Sequence, residues 1–395
     1  MRTGPTSSDP TRDRRRELVR TLVEGGWLRS AAWREAFETV PRHLFVPRAF
    51  AFTPDRGAHQ AIGADDPRWL DLAYADEPIT TQLDSDGTRW GHTRAHGPVT
   101  GTVTSSSSQP SLMAGMLESL DVAGGQHVLE LGTGTGYNTA LLCHRLGAGL
   151  VTSIEYDAVV AEHARRVLHD HGLRPHLAVG DGTHGVPDRA PFDRVIATYG
   201  VTAVPSEWVA QTRPGGIIVA SLNDGLGAGL MVRLVVDDHG HAHGRLTADD
   251  AHFMPTRTEV PLPVDVLLRA AATSPDGHRR NVRRTGSVPD PAPGWAVLAG
   301  LRHPGITRVT LHRDSGTVQW LLHSDGSWAY RDPATEQVEQ AGPQRLWDLI
   351  EDAHDEWVAA GSPHRTRLGI SVTPDRHRVW LDDPGGPHTW HRSTT

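Results

Sequence analysis

Lysine is absent from the 395 residues, so all 39 basic side chains are arginine, set against 47 acidic ones for a formal net charge of -8. That balance weighs against nucleic acid as a partner, although an acidic chain can still carry a local basic stripe. Cysteine occurs once, as Cys143. A single thiol excludes an internal disulfide and a cysteine-rich zinc site, fits a reducing compartment, and has core packing as its expected role. No apolar run approaches the roughly 20 residues that cross a bilayer. The opening stretch 1–11 carries Arg, Ser and Pro without a hydrophobic segment, so it reads as a disordered lead-in rather than a signal peptide, and a cytoplasmic setting is expected.

What is present is ordinary globular composition at a length that favours two domains. Residues 12–46 show helical spacing through Leu18, Leu22, Trp33, Phe37 and Val40. The stretches 48–72 and 84–104 lack periodicity and are rich in Gly, Asp, Pro and Thr, so they are expected to be long loops. From Pro110 a helix is predicted by the stripe Leu112, Met113, Met116, Leu117 and Leu120. Between His127 and Leu222 short apolar runs alternate with helical patterns, which is how a doubly wound α/β parallel sheet is written in sequence. The predicted strands are Val128–Leu131, Leu150–Glu155, His176–Val179, Arg194–Thr198 and Ile217–Ser221, with crossover helices at Asn138–Leu146 and Ala158–His171 and a shorter one at Pro205–Thr212. The domain so formed is expected to span 12–258.

Beyond Thr258 the composition shifts. Seven of the 12 tryptophans lie between Trp295 and Trp390, and strands at 306–311, 317–322 and 327–330, an Asp325-Gly326 turn and a helix at 343–360 suggest a small α+β domain over 259–395. The tryptophans read first as its core. His239, His241 and His243 alternate, and on one face of a strand they could hold a metal. Their neighbours Asp237, Asp238, Gly240 and Gly244 read instead as a solvated hairpin turn, so no metal is assigned.

The chemistry is concentrated after the first parallel strand, where Glu130, Gly132, Thr133, Gly134, Gly136, Tyr137 and Asn138 fall in a strand–glycine loop–helix arrangement. A glycine loop alone would also suit a dinucleotide. An acid two positions before the first glycine would repel a pyrophosphate but favour the cationic ammonium and sulfonium of S-adenosyl-L-methionine. Glu155, followed by Tyr156, ends the second strand, where a carboxylate can accept both ribose hydroxyls, and Asp181-Gly182 follows the third, where adenine would sit.

VLELGTGTGY, VGDGTHGVPDRAPFDRVIAT and RPGGIIVASL follow one another through this region, and VPRHLFVP (40–47), Tyr74-Ala-Asp76-Glu-Pro78 and Ser108-Gln109-Pro110 lie upstream. On these segments the chain resembles the protein-L-isoaspartate O-methyltransferase family: the first three look like successive motifs of its cofactor domain, and the upstream ones match elements that other methyltransferases generally lack. The resemblance covers roughly 30–225. It implies a Rossmann-like class I methyltransferase sheet, S-adenosyl-L-methionine as cofactor, and a substrate carboxylate near Tyr74, Asp76, Ser107, Gln109 and Pro110, with Ser108 at the family's active-site serine. It implies as product a methyl ester on an aspartyl or isoaspartyl carboxylate of a peptide or protein, which closes to a succinimide (an aspartimide) and hydrolyses to Asp or isoAsp. The insertions 48–72 and 84–104 and the Trp-rich tail depart from the short repair enzymes. This extended build looks like the branch associated with maturation of ribosomally made peptides of graspetide, lanthipeptide and lasso type, with the tail selecting the substrate. The alternatives are a methyltransferase for RNA or a small molecule, which needs no Ser108-Gln109-Pro110 segment, and a non-catalytic peptide-binding module.

Overall fold

Apolar runs in this chain are short and separated by glycine and by capped helices, and the secondary structure follows that punctuation. A computed structural model describes residues 11–223, 226–227, 229–259, 262–274, 277–283, 294–313, 316–332 and 334–392. Most of the lead-in and part of the polar segment before Trp295 lie outside the described residues. By internal packing the chain divides into two units, Met1–Thr198 with Gln211–Ile217, and Tyr199–Ala210 with Ile218–Thr395. Among the described residues no helix is long and apolar enough to cross a membrane.

The first unit begins with helices α1 (Arg12–Glu24), α2 (Ala31–Thr39) and α3 (Arg42–Phe45). The two stretches expected to be loops are instead largely folded. Strands β1 (Arg48–Thr53) and β2 (Ala58–Gly63) form a hairpin, and β3 (Ile79–Leu83) and β4 (Val103–Ser107) complete an antiparallel sheet in the order β2-β1-β3-β4. Helices α4 (Trp69–Tyr74) and α5 (Arg89–His96) connect them. The strands escape a periodicity reading because their inward faces carry few large apolar side chains. Phe50, Ala61 and Leu83 form a small core against Trp90, Val99 and Val103, and the Trp90 indole donates to the carbonyls of Ala49 at 3.2 Å and Ile62 at 3.1 Å.

Helix α6 (Pro110–Leu120) leads into β5 (Val128–Leu131), α7 (Tyr137–Leu146), β6 (Val151–Glu155), α8 (Ala158–Asp170), β7 (His176–Val179) and β8 (Phe192–Val201). These strands pair in parallel in the order β8-β5-β6-β7. Every residue of β5 is buried, as a central parallel strand covered on both faces must be. The order reverses at β5, which has β6 on one side and β8 on the other, and a ligand crevice in such a sheet lies at the carboxyl ends of the strands at that reversal. Helix α8 starts where the Asp157 carboxylate accepts from the N–H groups of Val159 and Val160, a cap worth about 1 kcal/mol.

The second unit holds helix α9 (Ser206–Ala210), shorter than expected, the end of β9 (Thr212–Asn223), then β10 (Gly229–Val236) and β11 (Ala242–Asp250) as a hairpin. Helices α10 (Val264–Ala272), α11 (Gly294–Arg302) and α12 (Leu346–Ala359) accompany strands β12 (His278–Asn281), β13 (Thr307–Arg313), β14 (Gly316–Leu322), β15 (Trp328–Asp332) and β16 (Gln337–Ala341), which form one antiparallel sheet. The final strands β17 (Leu368–Thr373), β18 (Arg376–Leu381) and β19 (Thr389–Arg392) return to pair with β11 through β17. Sequence on the two sides of Thr258 therefore shares a sheet. Of the seven C-terminal tryptophans, Trp295, Trp328, Trp347 and Trp380 are buried and Trp320, Trp357 and Trp390 are half-buried, as core residues should be.

Candidate functional site

At the carboxyl end of β5 the chain turns through Gly132, Gly134 and Gly136 with φ of 95°, 54° and 86°, a left-handed sequence that only glycine adopts without strain. The Gly132 and Thr133 N–H groups donate to the Ile154 carbonyl at 2.9 and 3.2 Å. Gly134 N–H donates to Glu155 Oε2 at 2.8 Å, and Asp157 N–H donates to Glu155 Oε1 at 3.0 Å. The Gly180 N–H reaches the Glu155 carbonyl at 2.9 Å, so the ends of β5, β6 and β7 are stitched together around Glu155. Tyr156 is exposed beside it. Asp181 caps the short helical turn Gly182–His184 through Thr183 N–H at 2.9 Å, and Gly182 is buried.

Two residues expected to touch the cofactor are packed inside the protein. Glu130 is 0% exposed, and its carboxylate accepts from Asn138 Nδ2 at 2.7 Å, Ser153 Oγ at 2.7 Å and the Thr139 hydroxyl. Burial pushes its carboxyl up to about 7, against the three hydrogen bonds that lower it. The side chain turns inward and braces the loop against α7. Tyr137 is likewise buried, packed edge-on to Phe37 with ring centroids 6.2 Å apart and against Phe45 at 5.8 Å. Thr133 pairs its hydroxyl with Ser153 Oγ at 2.6 Å. Asn138 keeps one buried acceptor, Oδ1, without a hydrogen-bond partner among the described residues.

The second end of the site is assembled by a residue the periodicity reading passed over. Arg42 is completely buried, and its guanidinium donates to five backbone carbonyls. Nη1 reaches Ala73 at 3.2 Å and Ala75 at 3.0 Å, and Nη2 reaches Glu77 at 3.0 Å, Ser107 at 3.4 Å and Ser108 at 3.1 Å. Burial lowers its pKa to about 10, partly offset by Tyr137, Asp76 and Tyr74, so it remains charged. The clamp joins the Tyr74–Glu77 segment to the end of β4. Asp76 reinforces the join by accepting from Ser111 N–H at 2.8 Å and Gln109 Nε2 at 3.5 Å, and the Tyr74 hydroxyl bonds His43 Nδ1 at 2.6 Å. Ser107 and Pro110 are buried and Ser108 is half-buried. Among the described residues no group hydrogen-bonds the Ser108 hydroxyl. The signal for Arg42 was a cation flanked by apolar residues in VPRHLFVP, where a surface helix would scatter charges.

The two ends meet. A Cβ on Gly134 would lie 3.5 Å from the Ser106 carbonyl oxygen, so the glycine loop runs directly beneath the serine strand. Gln82 of β3 adds a second tie, donating to Asp157 Oδ2 at 2.9 Å while accepting from the Thr104 hydroxyl at 2.9 Å.

A family model described as Protein-L-isoaspartate(D-aspartate) O-methyltransferase matches residues 91–255. A Trichlorobacter lovleyi protein named Protein-L-isoaspartate O-methyltransferase is 34% identical over 211 residues, covering 53% of this chain and 78% of that protein. The chain belongs to the protein-L-isoaspartate O-methyltransferase family. A Hyperthermus butylicus protein of the same name is 33% identical over 223 residues, covering 54% of this chain and 76% of that protein. A solved structure with that title aligns over 93% of this chain and 100% of its own length with a TM-score of 0.56 at 22% identity, a likeness of fold. Since that alignment takes in most of the C-terminal region, the extended build also occurs in a solved structure bearing the family's name.

Proposed function

We propose that this chain transfers a methyl group from S-adenosyl-L-methionine to a free carboxylate of an isoaspartyl or aspartyl residue in a peptide or protein. The observation that carries the reading is the contact between the Gly132–Gly136 loop, held by Glu155, and the serine strand, held by Arg42. One end suits a nucleoside with an amino-acid tail and the other suits a carboxylate. The cofactor fits the residues present: three left-handed glycines open the backbone, Glu155 stands at the strand end where ribose hydroxyls would be met, and Asn138 Oδ1 is an orphaned acceptor suited to an ammonium group.

When bound, the cofactor supplies an electrophilic methyl group on a sulfonium. The substrate carboxylate has an ordinary pKa near 4, so at neutral pH it attacks as an anion and needs no general base. What the chain contributes is position, and holding nucleophile and methyl donor in line can supply roughly 7–11 kcal/mol. Ser108 orients one carboxylate oxygen, and Arg42 and Asp76 hold the strand end that carries it. The ester then loses methanol as the following backbone amide closes on its carbonyl.

The test is incubation with an isoaspartyl peptide, its aspartyl twin and S-adenosyl-L-methionine. The reading expects one alkali-labile methyl group per peptide, followed by methanol release and a succinimide mass. Transfer to nitrogen or to RNA would refute it.

Tailoring of a ribosomally made peptide drew its support from the extended build, and that support weakens because the family's own fold neighbour is extended too. Selection of substrate by residues 259–395 is part of this proposal as well, through surface other than the buried tryptophans. A cytoplasmic setting is supported by the lone cysteine.

A further inference from the structure

We propose that Asp237, His241 and His243 form a binding site for a late first-row divalent cation, for which zinc is the test ion. The hairpin reading of this stretch holds, with β10 and β11 joined through Asp237–His241, and the sharp turn rests on Gly240 at φ 73°. The carboxylate is fixed by the turn itself. Asp237 Oδ1 accepts from the backbone N–H groups of His239 and His241, both at 2.9 Å, leaving Oδ2 facing the rings. Oδ2 lies 3.4 Å from His243 Nε2 and 3.8 Å from His241 Nδ1, and one ligand atom from each residue falls within 4.8 Å of the others. A tetrahedral ion with bonds of about 2.0–2.1 Å sets its donors about 3.3–3.4 Å apart, so the pocket needs only a small contraction. Two imidazoles and a carboxylate select zinc, nickel, cobalt or copper over calcium or magnesium.

The support behind the ligands points the same way. His243 Nδ1 lies 2.7 Å from Ser371 Oγ, its cross-strand partner on β17. That buried hydroxyl also accepts from the Trp380 indole N–H at 2.9 Å. Oγ has a second lone pair, so it can accept from Nδ1–H as well, the arrangement that leaves the Nε2 lone pair facing Asp237. The three side chains are about one-third exposed, at 34%, 38% and 33%, which leaves a fourth position to water. His239, the third member of the alternating run, sits in the turn outside the cluster.

The experiment uses the full chain stripped with a chelator and titrated with zinc against a chromophoric competitor, with cobalt substitution as a second readout. One tight equivalent and a tetrahedral cobalt spectrum are expected. His241→Ala/His243→Ala should lose both, while His92→Ala/His96→Ala, which removes a stacked pair elsewhere, should lose neither. Ser371→Ala leaves every ligand in place and should weaken zinc about 10–100-fold. Absence of stoichiometric binding in the wild type, equal affinity in the double variant, or no change in Ser371→Ala would each overturn the site.

Discussion

Each end of the candidate site is built on one fully buried charge, and the two charges work differently. Glu130 accepts three side-chain hydrogen bonds from residues no more than 23 positions away, so it organises one strand, one loop and one helix. Arg42 reaches carbonyls 31 to 66 positions away and ties segments that are distant in sequence. A buried carboxylate can lower its cost by taking a proton. A buried guanidinium cannot, so it must satisfy the carbonyls around it instead. The local brace should be adjustable, and the long-range clamp should not.

The comparison breaks most visibly at Arg42. Its replacement by alanine strands five carbonyls and is expected to destabilise the first unit by about 3–5 kcal/mol, with loss of methyl transfer. Arg42→Lys keeps the charge but not the planar fork and should recover only part of both. Thermal unfolding of the three proteins checks this, and an alanine variant melting with the wild type would remove the clamp.

Glu130 should show its adjustability as pH dependence. Its folded carboxyl titrates near 7, above the ordinary value of 4.5, so the folded state holds the proton more tightly than the unfolded chain. That contribution is complete below about 4.5 and is lost as pH rises through about 7, amounting to at most about 3 kcal/mol. Glu130→Gln, neutral throughout, should flatten the stability profile across that window relative to wild type. Parallel profiles for the two proteins would mean that Glu130 does not titrate there.

The parallel core was readable because it combines strong signals. β5 and β7 match their expected bounds, and α7 and α8 fall within one residue of theirs, since each apolar run ends at a glycine or a cap. The sheet from β1 to β4 was not, because Ala, Gly, His and Thr on its faces hide the period of two and its core rests on one phenylalanine and one tryptophan. Strands β10, β11 and β17 to β19 were missed for a different reason: the sheet they share closes only where β11 pairs with β17, more than 100 positions along the chain. Within the site, Glu155 and the glycine loop could be read from their order along the chain. The inward turn of Glu130 was not legible because sequence does not say which way a strand-end acid points, and Arg42 was missed because a lone cation looks like surface until its carbonyls are known.

The central claim is that the site has two separable ends, and the most direct measurement compares Glu155→Ala with Ser108→Ala by calorimetric titration of S-adenosylhomocysteine and by kcat/KM on an isoaspartyl peptide. Glu155→Ala should weaken S-adenosylhomocysteine by about 1.5–3 kcal/mol, a charge-assisted acceptor being lost. Ser108→Ala should leave that dissociation constant unchanged and lower kcat/KM by about 0.5–1.5 kcal/mol, the worth of a neutral hydrogen bond. If Ser108→Ala weakens S-adenosylhomocysteine as much as Glu155→Ala does, or if Glu155→Ala binds it like the wild type, the two-ended site is contradicted.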